Sequence, residues 1–406
     1  MYSTVVGLDI GTTKVTAVVG EMIDETHTKV IGMGITPSRG MEKGIVKNVE
    51  ETSACIQEAI DKAQRMADMA IDYVYIGIAG GHIESVNRTV EIDLREPNTC
   101  VTQEDVDLIL SMAKDIQVPE DKEIIHTIIR EYSLDENRGL KDPVGMTGSK
   151  LKVTVHIVLG AISAIRDLVR CAHNVNLDVA EVILQPLASA EAILTEDEKK
   201  MGVVLVDIGG GTTDIAVFQK GQLTHTRVIP LGGGHFTNDL SVYLRSPYSE
   251  AEKLKIRYGS VDLHQSDLGQ SLEVPAVGGE ERRKVTVGAV AEVLRARGEE
   301  LAELVLEDIF ESVGELQQLG AGIVLTGGGS QTRGLDVLFQ DLGGLPVRIG
   351  KIRDVTGLVE KVSSPVFATG VGLIFYGYRN HEMVMRSLHE ESFFERVIST
   401  IKGWFV

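Results

Sequence analysis

Met1–Gly20 alternates apolar with small or polar residues on either side of Gly11-Thr12-Thr13, and it predicts two strands about a tight turn. A third strand is expected over Lys29–Ile35. Over Asn48–Ala70 the period changes: Ile56, Ala59, Ile60, Ala63 and Met66 recur three or four apart, which predicts a helix buried along one stripe. Tyr73–Gly80 then reads as a buried strand, giving an α/β unit with a mostly buried sheet. From Ile83 to Gly160 the texture shifts. A polar strand (Ser85–Leu94) precedes a helix over Thr102–Asp115, with Thr102 as its cap and Glu104 and Asp105 in its first turn. Two β-branched stretches follow, EIIHTIIREYSL and KLKVTVHIVLGA, so an inserted α+β subdomain is expected.

The second half repeats the first theme. Val203–Phe218 predicts another hairpin, HTRVIPLGGG a strand running into glycines, and Thr237–Leu244 with Ser249–Tyr258 a helical stretch. Polar strands are expected over Val261–Val287, a long helix over Ala289–Gly314, and a buried strand in GIVLTGGGS. The whole reads as two similar α/β halves about a cleft, with one hairpin facing in from each side.

The length of 406 residues suits two or three domains. A net charge of −19 with no Lys/Arg run argues against a nucleic-acid partner, which needs a basic face. Cys55, Cys100 and Cys171 are widely spaced, so buried thiols in a reducing compartment are expected, and no zinc site. No cleavable leader is evident at the start, and the apolar stretch Val366–Tyr378 is shorter than the roughly 18–20 residues a spanning helix needs. The bulk of the chain is therefore expected in the cytosol.

The candidate chemistry lies in the hairpins. Glycines permit positive φ and a close backbone approach, successive N–H groups make an anion nest, and an Asp beside a polyphosphate can hold Mg²⁺. Asp9, Gly11, Thr12, Thr13 and Lys14 fit one phosphate loop; Asp207, Gly209, Gly210, Gly211, Thr212 and Thr213 fit a second. One such turn is ordinary; two related copies point to phosphate. Gly327-Gly328-Gly329-Ser330 ends a strand where a nucleoside would lie against bare backbone. Gln185–Leu194 and Ala368–Ile374 are small-residue stretches suited to close helix packing. No Walker A or clean GxGxxG pattern is present, no nucleophile–base pair is evident, and His126 and His156 read as core or surface residues rather than ligands.

At the C-terminus, Phe393, Phe394, Val397, Ile398, Ile401, Trp404 and Phe405 fall on one helical face. About 15 residues from Ser392 make roughly 22 Å of helix, too short to span a bilayer but able to lie in its interface. A helix docked on the body is the other reading of the same pattern. The polar stretch Arg379–Glu391, which separates the segment from the folded part, favours the membrane.

Taken in order, these motifs resemble the actin-like ATPase superfamily: its two phosphate loops, its adenosine motif and its two connecting helices. The resemblance implies ATP and Mg²⁺ between two lobes, with Asp9 and Asp207 at the metal. A helix after the second hairpin would hold the nucleoside, which assigns Glu252 and Lys255; the same spacing also describes an exposed i,i+3 ion pair. Hydrolysis would be slow at most, with Gln185 the residue to orient a water. The interfacial tail, with Arg39–Glu51, Ile76–Ser85 and Ile128–Val158, is similar to the FtsA family within that superfamily. That likeness implies an ATP-binding protein that forms head-to-tail polymers and tethers FtsZ filaments to the cytoplasmic face of the membrane at the division site, with other division proteins as further partners. A PilM-like pilus-assembly adaptor and a sugar-kinase-type phosphotransferase are the competing readings.

The expected fold is an actin-like duplicated two-lobed α/β fold with an inserted α+β subdomain and a C-terminal amphipathic helix. The first lobe's core takes residues 1–83, 161–195 and 331–380, and the insertion takes 84–160. The second lobe's core takes 196–229 and 298–330, and its small subdomain, on the nucleoside and FtsZ side, takes 230–297. A linker over 381–391 leads to the membrane helix at 392–406.

Overall fold

The computed structural model describes residues 4–23, 27–95, 99–264, 267–278, 282–314 and 316–390. The expected C-terminal amphipathic helix, with Phe393, Phe394, Val397, Ile398, Ile401, Trp404 and Phe405, lies outside them.

The first lobe is built on β1 (Thr4–Ile10), β2 (Lys14–Met22) and β3 (Thr28–Pro37), consecutive antiparallel neighbours. Helix α1 (Val49–Ala67) covers one face of this sheet. It is shorter than the expected 48–70, because Asn48 sits outside as an extended cap accepting the amides of Glu50 and Glu51. Asp68, in the left-handed region, ends it. Ile56, Ala59, Ile60 and Ala63 are buried as the period requires, whereas Met66 is exposed beyond the edge of the stripe. Strand β4 (Tyr73–Ile78) runs parallel to β1.

The insertion is a four-stranded sheet whose principal strands are β5 (Glu84–Asp93), β6 (Lys122–Leu134) and the central β7 (Lys150–Ala161). Helix α2 (Gln103–Lys114) packs on it, started by a reciprocal capping box between Thr102 and Asp105. Leu151, Val153, Val155 and Ile157 of β7 meet Val106, Ile109 and Ala113 in a core of their own. The chain returns through α3 (Ile162–His173) and β8 (Asp178–Leu184), completing the first sheet in the order β8-β4-β1-β2-β3, with Val355–Gly357 added at the far edge.

After α4 (Gln185–Ile193) the pattern starts again: β9 (Val203–Ile208), β10 (Thr213–Gln219) and β11 (Gln222–Ile229) are antiparallel neighbours. Helices α5 (Gly233–Leu244), α6 (Tyr248–Tyr258) and the long α7 (Val287–Val313) follow, and β12 (Gly322–Thr326) lies parallel to β9. The expected polar strand region shrinks to the ribbon Ser271–Pro275 with Arg282–Thr286. The order β11-β10-β9-β12 therefore repeats β3-β2-β1-β4, and the duplication read from two hairpins extends to the whole sheet.

The lobes are joined by α4 and by α8 (Ala368–Glu390), which cross in contact. A Cβ on Gly372 would lie 1.8 Å from the Ala188 carbonyl oxygen, so this crossing tolerates only glycine. Helix α8 continues to Glu390, so most of the segment expected as a linker is helical. On another side, the insertion rests on β11: Ser85 donates to the Thr226 carbonyl at 3.0 Å, and Asn87 to that of Thr224 at 3.2 Å. Buried His156 joins Asn87 to the Thr226 hydroxyl. Burial, with His225 and Arg130 nearby, depresses His156 to about 4, so it is a neutral structural group. His126, depressed by burial to about 4, accepts the Leu184 amide.

Candidate functional site

The two hairpins close in the same way. Gly11 donates to the Lys14 carbonyl, Gly209 to that of Thr212, both at 2.9 Å, and the strand pairs Ile10–Val15 and Ile208–Thr213 begin at equivalent places. Structurally, therefore, GTTK matches GGGT, and the two Thr-Thr pairs are two residues out of step. That offset puts Thr12 and Thr13 in the first turn but carries Thr213 into β10, where its buried hydroxyl donates to the Leu231 carbonyl. It also sets Asp214, opposite Asp207, where the first hairpin has Thr16 opposite Asp9.

The hairpins meet across a cleft of about 390 Å³. A Cβ on Gly210 would lie 2.3 Å from the Thr13 Cγ2, and one on Gly211 2.7 Å from the Thr12 Oγ1. None of the glycines in these turns has positive φ, contrary to the sequence argument; their lack of a side chain is what the close approach requires. Gly327, by contrast, is left-handed (φ 80°), and its neighbour Gly328 is open: a Cβ there would meet nothing within 4 Å.

Asp9, Gly11, Thr12, Thr13, Lys14, Gln185, Asp207, Gly209, Gly210, Gly211, Thr212, Glu252, Lys255, Gly327, Gly328 and Gly329 all line this one cleft. Two expected residues do not. Thr213 is turned away as described, and Ser330 is buried with its hydroxyl donating to the Gly327 carbonyl at 2.8 Å, where it braces the glycine turn. Lys255 is no free surface charge. It donates to the Gly233 carbonyl and the Thr237 hydroxyl and pairs with Glu252 at 2.8 Å, holding α6 against the start of α5. Residues that the sequence reading missed also line the cleft, notably Asp214, Tyr248 and Thr369.

Three carboxylates share the floor of the cleft. Burial pushes Asp9 up against the opposing pull of Lys14. Burial also drives Asp207 to about 6, with Asp9 adding repulsion and the Ser189 hydrogen bond working against both. Asp214 is raised well above its ordinary value by burial and by Asp207. Its Oδ2 accepts the Thr212 hydroxyl, while the buried Oδ1 has no hydrogen-bond partner. Lys14 is the nearby cation, 3.7 Å from Asp9, but its ammonium donates to the Val366 carbonyl at 2.7 Å. Buried carboxylates with one orphaned oxygen and too little positive charge fit a divalent cation. Among the described residues no three acidic, His or Cys side chains form a ready cage. Mg²⁺ does not need one, since it keeps waters and takes phosphate oxygens. Gln185, at the start of α4, donates to Asp9 at 3.2 Å. No described helix is long and apolar enough to cross a membrane.

Comparison with known proteins agrees with this architecture. The sequence model of the family described as Cell division protein FtsA matches residues 204–372, and that of the SHS2 domain inserted in FTSA matches 80–159. Curated cell division proteins FtsA are similar along most of their length. That of Pseudomonas aeruginosa is 43% identical over 92% of this chain and 89% of its own. That of Escherichia coli K12 is 39% identical over 98% and 95%. Among solved structures, the PilM-PilN type IV pilus biogenesis complex aligns with a TM-score of 0.65 at 17% identity, covering 92% of this chain and 98% of the other. MreB5 of Spiroplasma citri bound to ADP aligns with 0.55 at 16%, covering 96% and 99%. A chain of the MamK double helical filament aligns with 0.53 at 13%, covering 92% and 98%.

Proposed function

The chain belongs to the FtsA family, actin-like proteins of bacterial cell division, and from that premise we propose that it binds ATP with Mg²⁺ in the inter-lobe cleft, polymerises, and tethers FtsZ filaments to the cytoplasmic membrane. The observation that carries the nucleotide part is the meeting of both hairpins over three buried carboxylates in one cleft. Asp9 and Asp207 would hold the ion, directly or through water, with the orphaned oxygen of Asp214 beside them. Bound there, Mg²⁺ would neutralise charge on the phosphates. The chain's own contribution is positional: the hairpin amides and Thr12, Thr13 and Thr212 orient the phosphates, and Lys14 supplies a cation once it leaves Val366. The Lys255–Glu252 pair and Gly327–Gly329 flank the nucleoside end. Gln185 would orient a water, and any hydrolysis would be slow at most, with the bound nucleotide setting filament state.

Support for polymerisation comes from fold neighbours, one of them solved as a filament. The membrane link rests on the amphipathic pattern of Ser392–Val406, whose seven large apolar residues would share one face of a helix. FtsZ as partner follows from family membership, with the small subdomain of the second lobe as its expected contact. The site of action would then be the cytoplasmic face of the membrane at the division site, with other division proteins as further partners. A PilM-like role is disfavoured by the much higher identity to FtsA sequences and by the amphipathic terminal segment. The test is vesicle flotation with purified FtsZ. Full-length protein with Mg²⁺ and ATP should carry FtsZ to the top of the gradient, and a chain ending at Glu391 should leave both proteins at the bottom. Equal flotation of the truncated chain would overturn the anchor.

A further inference from the structure

Both helices that join the lobes send a hydroxyl to the same carboxylate oxygen. Ser189, fully buried on α4, donates to Asp207 Oδ2 at 2.6 Å. Thr369, at the start of α8, lies 3.0 Å from the Ser189 hydroxyl and 3.4 Å from that same Oδ2. Each hydroxyl has one proton, so the Ser189 proton goes to the carboxylate and the Thr369 proton backs Ser189 or reaches Asp207 itself. One helical turn earlier on α4, Gln185 donates to Asp9. A single face of α4 thus holds a carboxylate from each lobe. The contact between Gly372 and the Ala188 carbonyl lies one residue from Ser189, so the hydroxyl pair has no room to shift unless the helix crossing shifts.

We propose that Ser189 and Thr369 are positioning residues for Asp207, fixing its carboxylate for the Mg²⁺ that accompanies the nucleotide, and that through them the metal site is joined to the crossing of the two connecting helices. The proposal rests on the nucleotide-binding reading above. Ser189 does not line the cleft, and Thr369 lines it at the edge where its hydroxyl faces Asp207 and Ser189; the role assigned to both is exerted through Asp207. A hydrogen bond to a buried charged group is among the stronger kind, and losing it frees the carboxylate to turn from the ion.

The test uses full-length protein and a fluorescent probe, N-methylanthraniloyl-ATP, titrated with excess Mg²⁺ and again in EDTA. Ser189→Ala removes the hydroxyl and suits both a helix and a tight crossing. Thr369→Val keeps shape without the hydroxyl, and Thr369→Ser keeps the hydroxyl. Ser189→Ala should weaken binding in Mg²⁺ on the order of tenfold or more while leaving binding in EDTA within about twofold. Thr369→Val should do the same to a smaller extent, and Thr369→Ser should restore binding. Melting temperatures identify a variant that fails to fold, in which case the Thr369 pair alone decides. Equal weakening with and without Mg²⁺ would assign the hydroxyls a packing role and overturn the inference, as would unchanged binding. No binding of the probe by the unsubstituted chain would overturn the proposed function itself, a result distinct from either.

Discussion

Asp207→Asn gives the sharpest test of the charge stored in the cleft. The folded protein holds this carboxyl at about 6 against an ordinary 3.8. A raised carboxyl stabilises the folded state fully below 3.8 and loses that contribution as pH rises through 6. Across the whole window the shift of about two units corresponds to roughly 3 kcal/mol. The accessible part is smaller, because the isoelectric point near 5.0 sets a practical lower limit. Between pH 5.5 and 7.5 the same titration contributes roughly 1 kcal/mol. Asn cannot titrate, so the stability of Asp207→Asn minus that of the wild type should grow by about that amount from pH 5.5 to 7.5. The subtraction removes the titration of distant surface carboxylates. The assay is urea unfolding of nucleotide-free protein at both pH values, followed by circular dichroism. Saturating Mg²⁺ and ATP should abolish the growth, because the ion keeps Asp207 ionised in the folded state. Parallel stabilities, or a difference that shrinks toward pH 7.5, would refute the picture of an electrostatically strained cleft.

Other substitutions probe the helix crossing, the hairpin contact and the seat of β11. Gly372→Ala should force α4 and α8 apart and cost about 1–3 kcal/mol or more, read as a lower melting temperature; a wild-type melt would show that the crossing is looser than its geometry. Gly211→Leu puts a side chain between the hairpins and should weaken binding of the fluorescent nucleotide at least tenfold, and unchanged affinity would place the phosphates elsewhere. Asp308, buried on α7, bonds both Arg227 and His225 of β11 at 2.9 Å. Asp308→Ala should cost on the order of 2 kcal/mol in urea unfolding by leaving those donors unpaired, and no measurable loss would show that water serves them equally well.

Much of the architecture was legible because it is local. Alternation and apolar runs marked the hairpins, and Asp-Ile-Gly marked both turns that meet in the cleft. The small residues before Leu194 and after Val366 signalled tight helix crossings, and the stripe Ile56–Ala63 placed α1. Register inside a turn was not legible. Matching Thr-Thr to Thr-Thr looks natural in one dimension, but four residues close each turn, so Thr213 goes into the core and Asp214 takes a place beside Asp207. Aligning the hairpins from Asp9 and Asp207 without gaps would have exposed that acid. Ser189 and Thr369 lie 180 positions apart, and no periodicity ties them to Asp207. The seat of the insertion on β11 through His156 is likewise a tertiary fact. Glu252 and Lys255 stood undecided because spacing alone cannot tell a surface pair from a brace; the Gly233 carbonyl makes the difference.

The most direct measurement is a crystal of the full chain grown with Mn²⁺ and a non-hydrolysable ATP analogue, with anomalous scattering used to find the ion. One anomalous peak is expected in the cleft beside Asp9 and Asp207, with the phosphates between Gly11–Lys14 and Gly209–Thr212. A peak elsewhere, or a nucleotide that touches only one hairpin, would contradict it.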